Sequence, residues 1–169
     1  MSAETHGDGT LAARGARVPD AEQLPAGARV AIVVSRYHSL VTQRLLDGAL
    51  EAAEARGAEA DVILSPGAFE LGVLSLEAAR SGRYTAVAAL GCVIRGETSH
   101  YDYVCSEAAR GVLHAALETG VPVAFGVLTT ETPEQAFARA GGRAGNKGYE
   151  AVETALDTAA ALAAVRSSG

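Results

Sequence analysis

Four short apolar runs, separated by segments with helical periodicity, dominate this chain of 169 residues. The first run, at residues 29–35, is apolar at every position from 30 to 34. Such a run is typical of a strand buried on both faces of a parallel sheet. Further runs at residues 60–64, 84–90 and 123–128 predict three more strands. Because strands that alternate with helices form βαβ units, the predicted fold class is α/β, a parallel sheet with helices on both faces.

Helical periodicity predicts five helices between and after these strands. The first follows Ser39, a residue type that caps helix N-termini, and ends before Gly57. Its predicted apolar stripe consists of Val41, Leu45, Ala49 and Ala52. The other helices are expected at residues 69–79, 101–119, 133–139 and 146–166, and a glycine-rich turn at residues 141–145 precedes the last one.

Residues 1–28 differ from the rest of the chain because they show no sustained period. We expect them to form an N-terminal arm, and residues 29–169 to form a single domain.

Hydrophobic residues make up 49% of the chain, a content that supports a folded protein and argues against disorder. The net charge is −6 and basic residues do not cluster, so a nucleic-acid partner is not expected.

The sequence also indicates neither a membrane-spanning segment nor a metal site. No apolar run is long enough to cross a bilayer, and no basic-then-apolar signal pattern opens the chain. We therefore expect a soluble, cytoplasmic protein without a membrane partner. The two cysteines, Cys92 and Cys105, have neither metal-ligand spacing nor an obvious disulfide frame. They are expected to be small buried thiols.

The unusual segments of the chain all follow predicted strands. Right-handed crossovers place the carboxyl ends of parallel strands on one rim of the sheet, where open α/β sheets bind ligands. Segments at residues 36–38, 65–70, 91–100 and 129–131 carry aromatic, polar or ionisable groups at these ends. We expect them to converge, with Tyr37, Phe69, Glu70 and His100 on one rim.

Two aromatic residues, Tyr37 and Phe69, follow strands instead of lying within them. An aromatic ring in this position can stack on a flat heterocycle, or it can cap the core. Glu70 comes next in the chain, at the start of a helix. Its carboxylate can accept hydrogen bonds from ligand hydroxyls, or it can simply favour the positive end of the helix dipole.

The segment that leads into the third helix combines backbone groups that suit a phosphate with a histidine, His100. Backbone N–H groups at a helix N-terminus suit a phosphate, and residues 96–99 lead into one. His100 can exchange protons near neutral pH, or it can be a solvated polar residue. Arg139, Arg143 and Lys147 can bind phosphate or serve a helix terminus. No Ser/His/Asp motif, zinc spacing or dinucleotide fingerprint is present, so these residues predict a small-molecule site without naming a reaction.

At these residues the chain resembles the lumazine synthase family, which acts in riboflavin biosynthesis. The matching pieces are residues 35–38, 66–71, 89–104, 122–130, 134–136 and 139–148, which include Pro66-Gly67-Ala68-Phe69-Glu70-Leu71. They occur in the family's order between about residues 29 and 160. Departures are Tyr37-His38 in place of the commoner Phe-Asn, Ser65 where Val is usual, and Gly72 where Pro is usual.

The resemblance implies a three-layer α/β/α sandwich, a flavodoxin-like four-stranded parallel sheet, without a cofactor or metal. It implies that 5-amino-6-(D-ribitylamino)uracil condenses with 3,4-dihydroxy-2-butanone 4-phosphate. The products would be 6,7-dimethyl-8-ribityllumazine, inorganic phosphate and water. The enzyme would be a transferase, 6,7-dimethyl-8-ribityllumazine synthase.

The resemblance also implies a role for each site residue. Tyr37 stacks on the pyrimidine, while Ala68, Phe69 and Glu70 hold the ring and the ribityl chain. Cys92, Val93 and Ile94 also bind substrate, and Val93 and Ile94 do so through backbone contacts. Glu97 and Thr98 bind phosphate through their backbones, with Arg139 as the charged partner. His100 transfers protons, and Phe125, Arg139 and Lys147 arrive from a neighbouring subunit.

A site shared between subunits implies a homo-oligomer. The family forms pentamers, and compact versions of the turn at residues 141–145 accompany sixty-subunit icosahedral capsids, with riboflavin synthase as a candidate partner. Residues 9–15 resemble the family's N-terminal strand.

Alternative functions are a lumazine or flavin carrier without turnover, an archaeal-type riboflavin synthase, and a structural shell subunit. His100 and Arg139 favour the synthase, because neither a carrier nor a shell needs both proton transfer and a phosphate partner.

Overall fold

A four-stranded parallel sheet lies at the centre of the structure, a computed structural model that describes residues 14–19, 21 and 23–168. The strands are β1 (Arg29–Ser35), β2 (Glu59–Ser65), β3 (Ala86–Ile94) and β4 (Val123–Thr130). They lie in the order β2-β1-β3-β4 and all neighbours are parallel. The two strands with the most continuous apolar runs, β1 and β3, are therefore central.

In the part of the chain that the structure describes, five helices cover the sheet: α1 (Ser39–Ala55), α2 (Leu71–Arg80), α3 (His100–Thr119), α4 (Pro133–Ala138) and α5 (Lys147–Ser167). One face packs against α1 and α5, with α4 at its end, and the other face packs against α2 and α3. The predicted three-layer α/β/α sandwich with a flavodoxin-like parallel sheet is confirmed.

The side chains of β1 show why its sequence is a continuous apolar run. Val30, Ile32 and Val34 point into the layer with α1 and α5, whereas Ala31 and Val33 point into the layer with α2 and α3. Successive side chains of a strand point to opposite faces, and both faces are buried here. Each fully buried Val or Ile contributes about 1.5–3 kcal/mol relative to exposure.

Strand β3 extends further than its apolar run predicted. The sequence indicated an end at Leu90, but pairing with β4 continues to Ile94, which lies opposite Thr130. Gly91 does not end the strand. A Cβ atom at this position would lie 3.2 Å from Leu71 Cδ1, so glycine allows α2 to pack closely on the strand. The loop that follows β3 is therefore limited to residues 95–99.

Four helix starts, those of α1, α2, α3 and α5, differ from the predictions by one or two residues. Ser39 is the first residue of α1 instead of its cap, and His38 occupies the cap position with a left-handed backbone (φ 55°, ψ 52°). At α5 the cap is Asn146, whose Oδ1 accepts hydrogen bonds from the backbone N–H groups of Gly148 and Tyr149, at 2.9 and 3.2 Å. The turn before it contains a short antiparallel pair, β5 (Ala140–Gly142) and β6 (Gly145–Asn146).

The N-terminal segment is only partly described. Residues 9–13 of the segment that resembles the family's N-terminal strand lie outside the described residues, and Arg14 and Gly15 form a turn. Within residues 14–19, 21 and 23–168, no helix combines the length and apolar character needed to span a membrane.

Helices α1 and α5 are in close contact at Gly148. A Cβ atom added there would lie 2.6 Å from the carbonyl carbon of Leu45, so the backbone of α1 would have to move. Gly148→Ala gains up to about 1 kcal/mol of helix propensity, but overpacking typically costs about 1–3 kcal/mol. We expect a net loss of unfolding free energy in urea titration. Gly96→Ala is the control, because no heavy atom lies within 4 Å of its added Cβ; equal stability of the two variants would contradict the packing argument.

Candidate functional site

A cavity of about 630 Å³ opens at the carboxyl ends of β1, β2 and β3. Its walls come from the loops that follow these strands, from the end of β3 and from the first turn of α3. The predicted site residues that line it are Tyr37, Ala68, Phe69, Glu70, Cys92, Val93, Ile94, Thr98 and His100. The structure therefore brings these side chains together at the rim.

The aromatic wall of the cavity consists of Tyr37 and Phe69. Their residues are 66% and 58% exposed, so neither ring caps the core. The ring of Tyr37 meets His38 edge to face, with centroids 4.6 Å apart and an interplanar angle of 73°. Exposed rings at a cavity mouth offer a flat surface for stacking a heterocycle.

The loop after β2 places Glu70 beside this wall. Ser65 is fully buried, and its Oγ donates a 2.7 Å hydrogen bond to the Gly67 carbonyl oxygen, which fixes the turn. A Cβ atom on Gly67 would lie 3.0 Å from Glu70 Oε2, so the carboxylate folds back over the glycine. Glu70 occupies the cap position of α2 without a side-chain capping bond. Its oxygens are thus available to accept hydrogen bonds from a hydroxylated ligand.

His100 is the first residue of α3 and is exposed. Its backbone N–H donates to Thr98 Oγ1 at 3.4 Å. Across residues 14–19, 21 and 23–168, no side chain forms a hydrogen bond with the imidazole. A free imidazole at a cavity wall can act as a proton donor or acceptor. Glu97, in the loop before His100, is also exposed. It lines neither this cavity nor the smaller cavity along β4 that is described below.

The end of β3 forms an apolar part of the cavity wall, with Cys92, Val93 and Ile94. Burial raises the pKa of the Cys92 thiol to about 11, so the thiol is protonated at neutral pH. Burial also raises the pKa of Cys105. Since the thiolate is the nucleophilic form, Cys92 serves as an apolar wall and not as a nucleophile.

A second cavity, of about 300 Å³, lies along the edge strand β4 and the first turns of α5. It is lined by the other three predicted residues, Phe125, Arg139 and Lys147. Arg139 donates to the Gln135 carbonyl oxygen at 3.0 Å, and Lys147 Nζ lies 2.7 Å from Glu150 Oε2. Within one chain the structure does not bring these residues together with His100.

Several lining residues were not selected as site residues from the sequence. His38, Tyr101 and Val104 also line the larger cavity, and Glu150 lines the smaller one. Tyr101 and Val104 follow His100 by one position and one helical turn. That spacing was a usable signal, but Val104 also fits the apolar periodicity of α3, which is typical of a core residue. Glu150 lies three residues after Lys147, where an ion pair on a helix is expected.

Among the residues that the structure describes, no group of three or more His, Cys, Asp or Glu side chains is arranged to hold a metal ion. The sequence model of the 6,7-dimethyl-8-ribityllumazine synthase family matches residues 27–163. The match includes all four strands, both cavities and the loops between them. The chain therefore belongs to the 6,7-dimethyl-8-ribityllumazine synthase family.

Proposed function

We propose that this chain condenses 5-amino-6-(D-ribitylamino)uracil with 3,4-dihydroxy-2-butanone 4-phosphate to form 6,7-dimethyl-8-ribityllumazine, phosphate and water. The observation that carries the proposal is a cavity that joins two exposed aromatic rings, the Glu70 carboxylate and the His100 imidazole. Family membership supplies the reaction, and this cavity offers groups that can stack a ring, accept hydrogen bonds from hydroxyls and exchange protons. We also propose a cytoplasmic location, which rests on the family alone.

The pyrimidine substrate fits the aromatic wall. Its flat ring stacks on Tyr37, with Phe69 beside it, while backbone groups of Val93 and Ile94 contact the ring edge. The hydroxyl groups of the ribityl chain donate hydrogen bonds to the Glu70 carboxylate. Ala68 and the protonated Cys92 present small side chains that leave room for the ring.

The phosphorylated substrate fits the loop between β3 and α3. Backbone N–H groups near Glu97 and Thr98 precede the N-terminus of α3, and a phosphate is favoured there by hydrogen bonding and by the helix dipole. We assign the balancing positive charge to Arg139, whose guanidinium can bind a phosphate with two parallel hydrogen bonds.

His100 is assigned to proton transfer. The amino group attacks the butanone carbonyl and loses water to form an imine, phosphate is eliminated, and the second nitrogen closes the ring with loss of water. Each of these steps moves a proton. A histidine has a suitable pKa range for such exchange, and assistance of this kind contributes about 10²–10⁴-fold.

We propose that a complete site forms between subunits. Phe125, Arg139 and Lys147 line a cavity separate from that of His100, which is the arrangement expected when each chain donates one part of a site to its neighbour. Such head-to-tail contacts end when they close a ring. A homopentamer is the smallest assembly proposed, and the compact turn at residues 141–145 favours a sixty-subunit capsid, with riboflavin synthase as a candidate partner.

Exposed apolar side chains on α2 and α3 support a subunit contact. Val73, Tyr103, Leu113 and Leu117 are 60%, 67%, 59% and 76% exposed. Tyr103, Leu113 and Leu117 are spaced at ten and four residues along α3, so they lie on one face of the helix. An apolar face of this kind is typical of a surface that another protein covers.

One assay tests the proposed reaction directly. The purified protein is mixed with both substrates, and lumazine fluorescence and released phosphate are followed together. Equimolar formation of the two products supports the synthase. Binding of the pyrimidine without release of phosphate would indicate a carrier instead.

We expect His100→Ala to lower kcat by about 10²–10⁴-fold, with near-normal pyrimidine binding and measurable residual activity. Positioning by Phe69 and Glu70 remains in the variant, and positioning alone supplies part of the rate enhancement. Thermal melting and single-turnover rates are measured on the same sample. A destabilised protein that reacts at the wild-type rate would show that His100 is structural.

We expect Arg139→Ala to raise KM for the butanone phosphate by about 10–100-fold, the equivalent of one charged hydrogen-bond partner. Affinity for the uncharged pyrimidine should change little, as equilibrium titration can measure. Arg83→Ala is a matched control, because Arg83 stacks over Tyr84 just before β3, at the opposite end of the sheet. Equal losses for both substrates would mean that Arg139 supports the fold instead.

A shared site predicts complementation between two impaired variants when the butanone phosphate is kept below its wild-type KM. When His100→Ala and Arg139→Ala subunits are denatured together and co-assembled, about one quarter of the interfaces in a random ring regain both intact residues. We expect the mixed assembly to recover roughly that fraction of wild-type activity, and light scattering to give a mass of five subunits or a multiple of five. An active monomer, or no recovery on mixing, would contradict the shared site.

A further inference from the structure

Arg95, the first residue after β3, contacts two other segments of the chain. Its Nε lies 2.9 Å from Glu131 Oε2, just after β4. One terminal nitrogen lies 3.3 Å from Asp102 Oδ1, in the first turn of α3. The guanidinium carbon is 4.3 Å from the centre of the Tyr101 ring. One side chain thus joins the end of β3, the start of α3 and the segment that leads from β4 to α4.

The backbone of the same residue strengthens this junction. The Arg95 N–H donates to the Thr130 carbonyl oxygen at 2.9 Å, so backbone and side chain both bind the end of β4. An isolated surface ion pair contributes little, but a network with good geometry contributes more. Only a planar guanidinium can meet two carboxylates at its edge while its face lies on an aromatic ring.

The position of Arg95 indicates that it acts indirectly on the proposed reaction. It does not line the cavity that contains His100; it lines a neighbouring cavity with Arg36 and Phe137. Its charge is already balanced by Glu131 and Asp102, which leaves little attraction for a substrate phosphate. Its partner Tyr101, however, lines the site cavity and directly follows His100.

We propose that Arg95 is a positioning residue which holds the loop at residues 95–99 and the first turn of α3 against the end of β4. This inference rests on the proposed function. The loop carries the backbone N–H groups assigned to phosphate, and the helical turn carries His100. Because both lie between the contacts that Arg95 makes, its side chain sets the distance between the phosphate subsite and the imidazole.

The test uses Arg95→Met, Arg95→Lys, Glu131→Gln and the double variant Arg95→Met/Glu131→Gln. Small misplacements of reacting groups can cost about 10²-fold, so we expect Arg95→Met to lower kcat by about 10–100-fold, with smaller changes in KM for both substrates. Glu131→Gln should give a smaller loss of the same kind. The double variant should be no slower than Arg95→Met, because both changes remove the same contact between residues 95 and 131. Arg95→Lys should recover part of the rate.

A second readout does not depend on turnover. Amide hydrogen exchange at residues 96–102 should speed up in Arg95→Met and in Glu131→Gln. The matched control is Arg56→Met, which removes an ion pair of 2.8 Å between Arg56, just after α1, and Asp157 on α5. This control should leave both kcat and exchange at residues 96–102 unchanged. Glu131→Gln and Arg95→Lys keep the test valid if Arg95→Met does not fold.

Two results would overturn the positioning role. Unchanged exchange together with a raised KM for the butanone phosphate alone would make Arg95 a direct phosphate ligand. Multiplicative losses in the double variant would show that Arg95 and Glu131 act independently. If the wild-type protein forms no lumazine, the proposed function fails, while the exchange measurements still decide whether Arg95 holds the loop.

Discussion

Helices cover both faces of the parallel sheet, and this burial restricts the ionisable groups near the sheet to its two ends. At the amino end, Arg29 pairs with Glu59 and Asp61, and the Tyr84 hydroxyl donates to Asp61 at 2.9 Å. The charges and hydrogen-bonding groups at this end are therefore paired with one another. At the carboxyl end, the His100 imidazole has no side-chain partner within the described part of the chain. The carboxyl end, where an imidazole faces the cavity beside the paired Arg95, is therefore the end able to bind a ligand.

Close contact between small residues fixes the two helices that carry the site. A Cβ atom added at Gly72 on α2 would lie 2.8 Å from the Cα of Gly111 on α3. This contact gives a physical reason for glycine at position 72, because any side chain there would push the helices apart. Glu70 and His100 lie at the N-terminal ends of these same helices, so the glycine contact also fixes their separation.

The sequence predicted most of the fold because burial leaves a periodic signal. The four strands and the stripe of α1 follow from apolar spacing, and Val41, Leu45, Ala49 and Ala52 are all buried. The end of β3 was not predictable from spacing, since Gly91 is a contact with α2 and resembles a strand terminator. The contact between Arg95 and Glu131 joins residues 36 positions apart, and no local pattern encodes such a pair. The family resemblance, and no local pattern, implied that Phe125, Arg139 and Lys147 lie apart from His100 within one chain.

The left-handed backbone at His38 limits how this cavity can vary. A non-glycine residue with this conformation costs of order 1–3 kcal/mol and is tolerated mainly for Asn, Asp and His, while β-branched and bulky side chains are strongly disfavoured. Position 38, beside Tyr37, can therefore hold His, Asn, Asp or Gly without moving α1. Over evolutionary time the hydrogen-bonding character of this wall can drift, while the path of the chain around it stays constant. Diversity in ligand recognition would then arise here by exchange of polar groups, and diversity in ligand size would have to arise elsewhere.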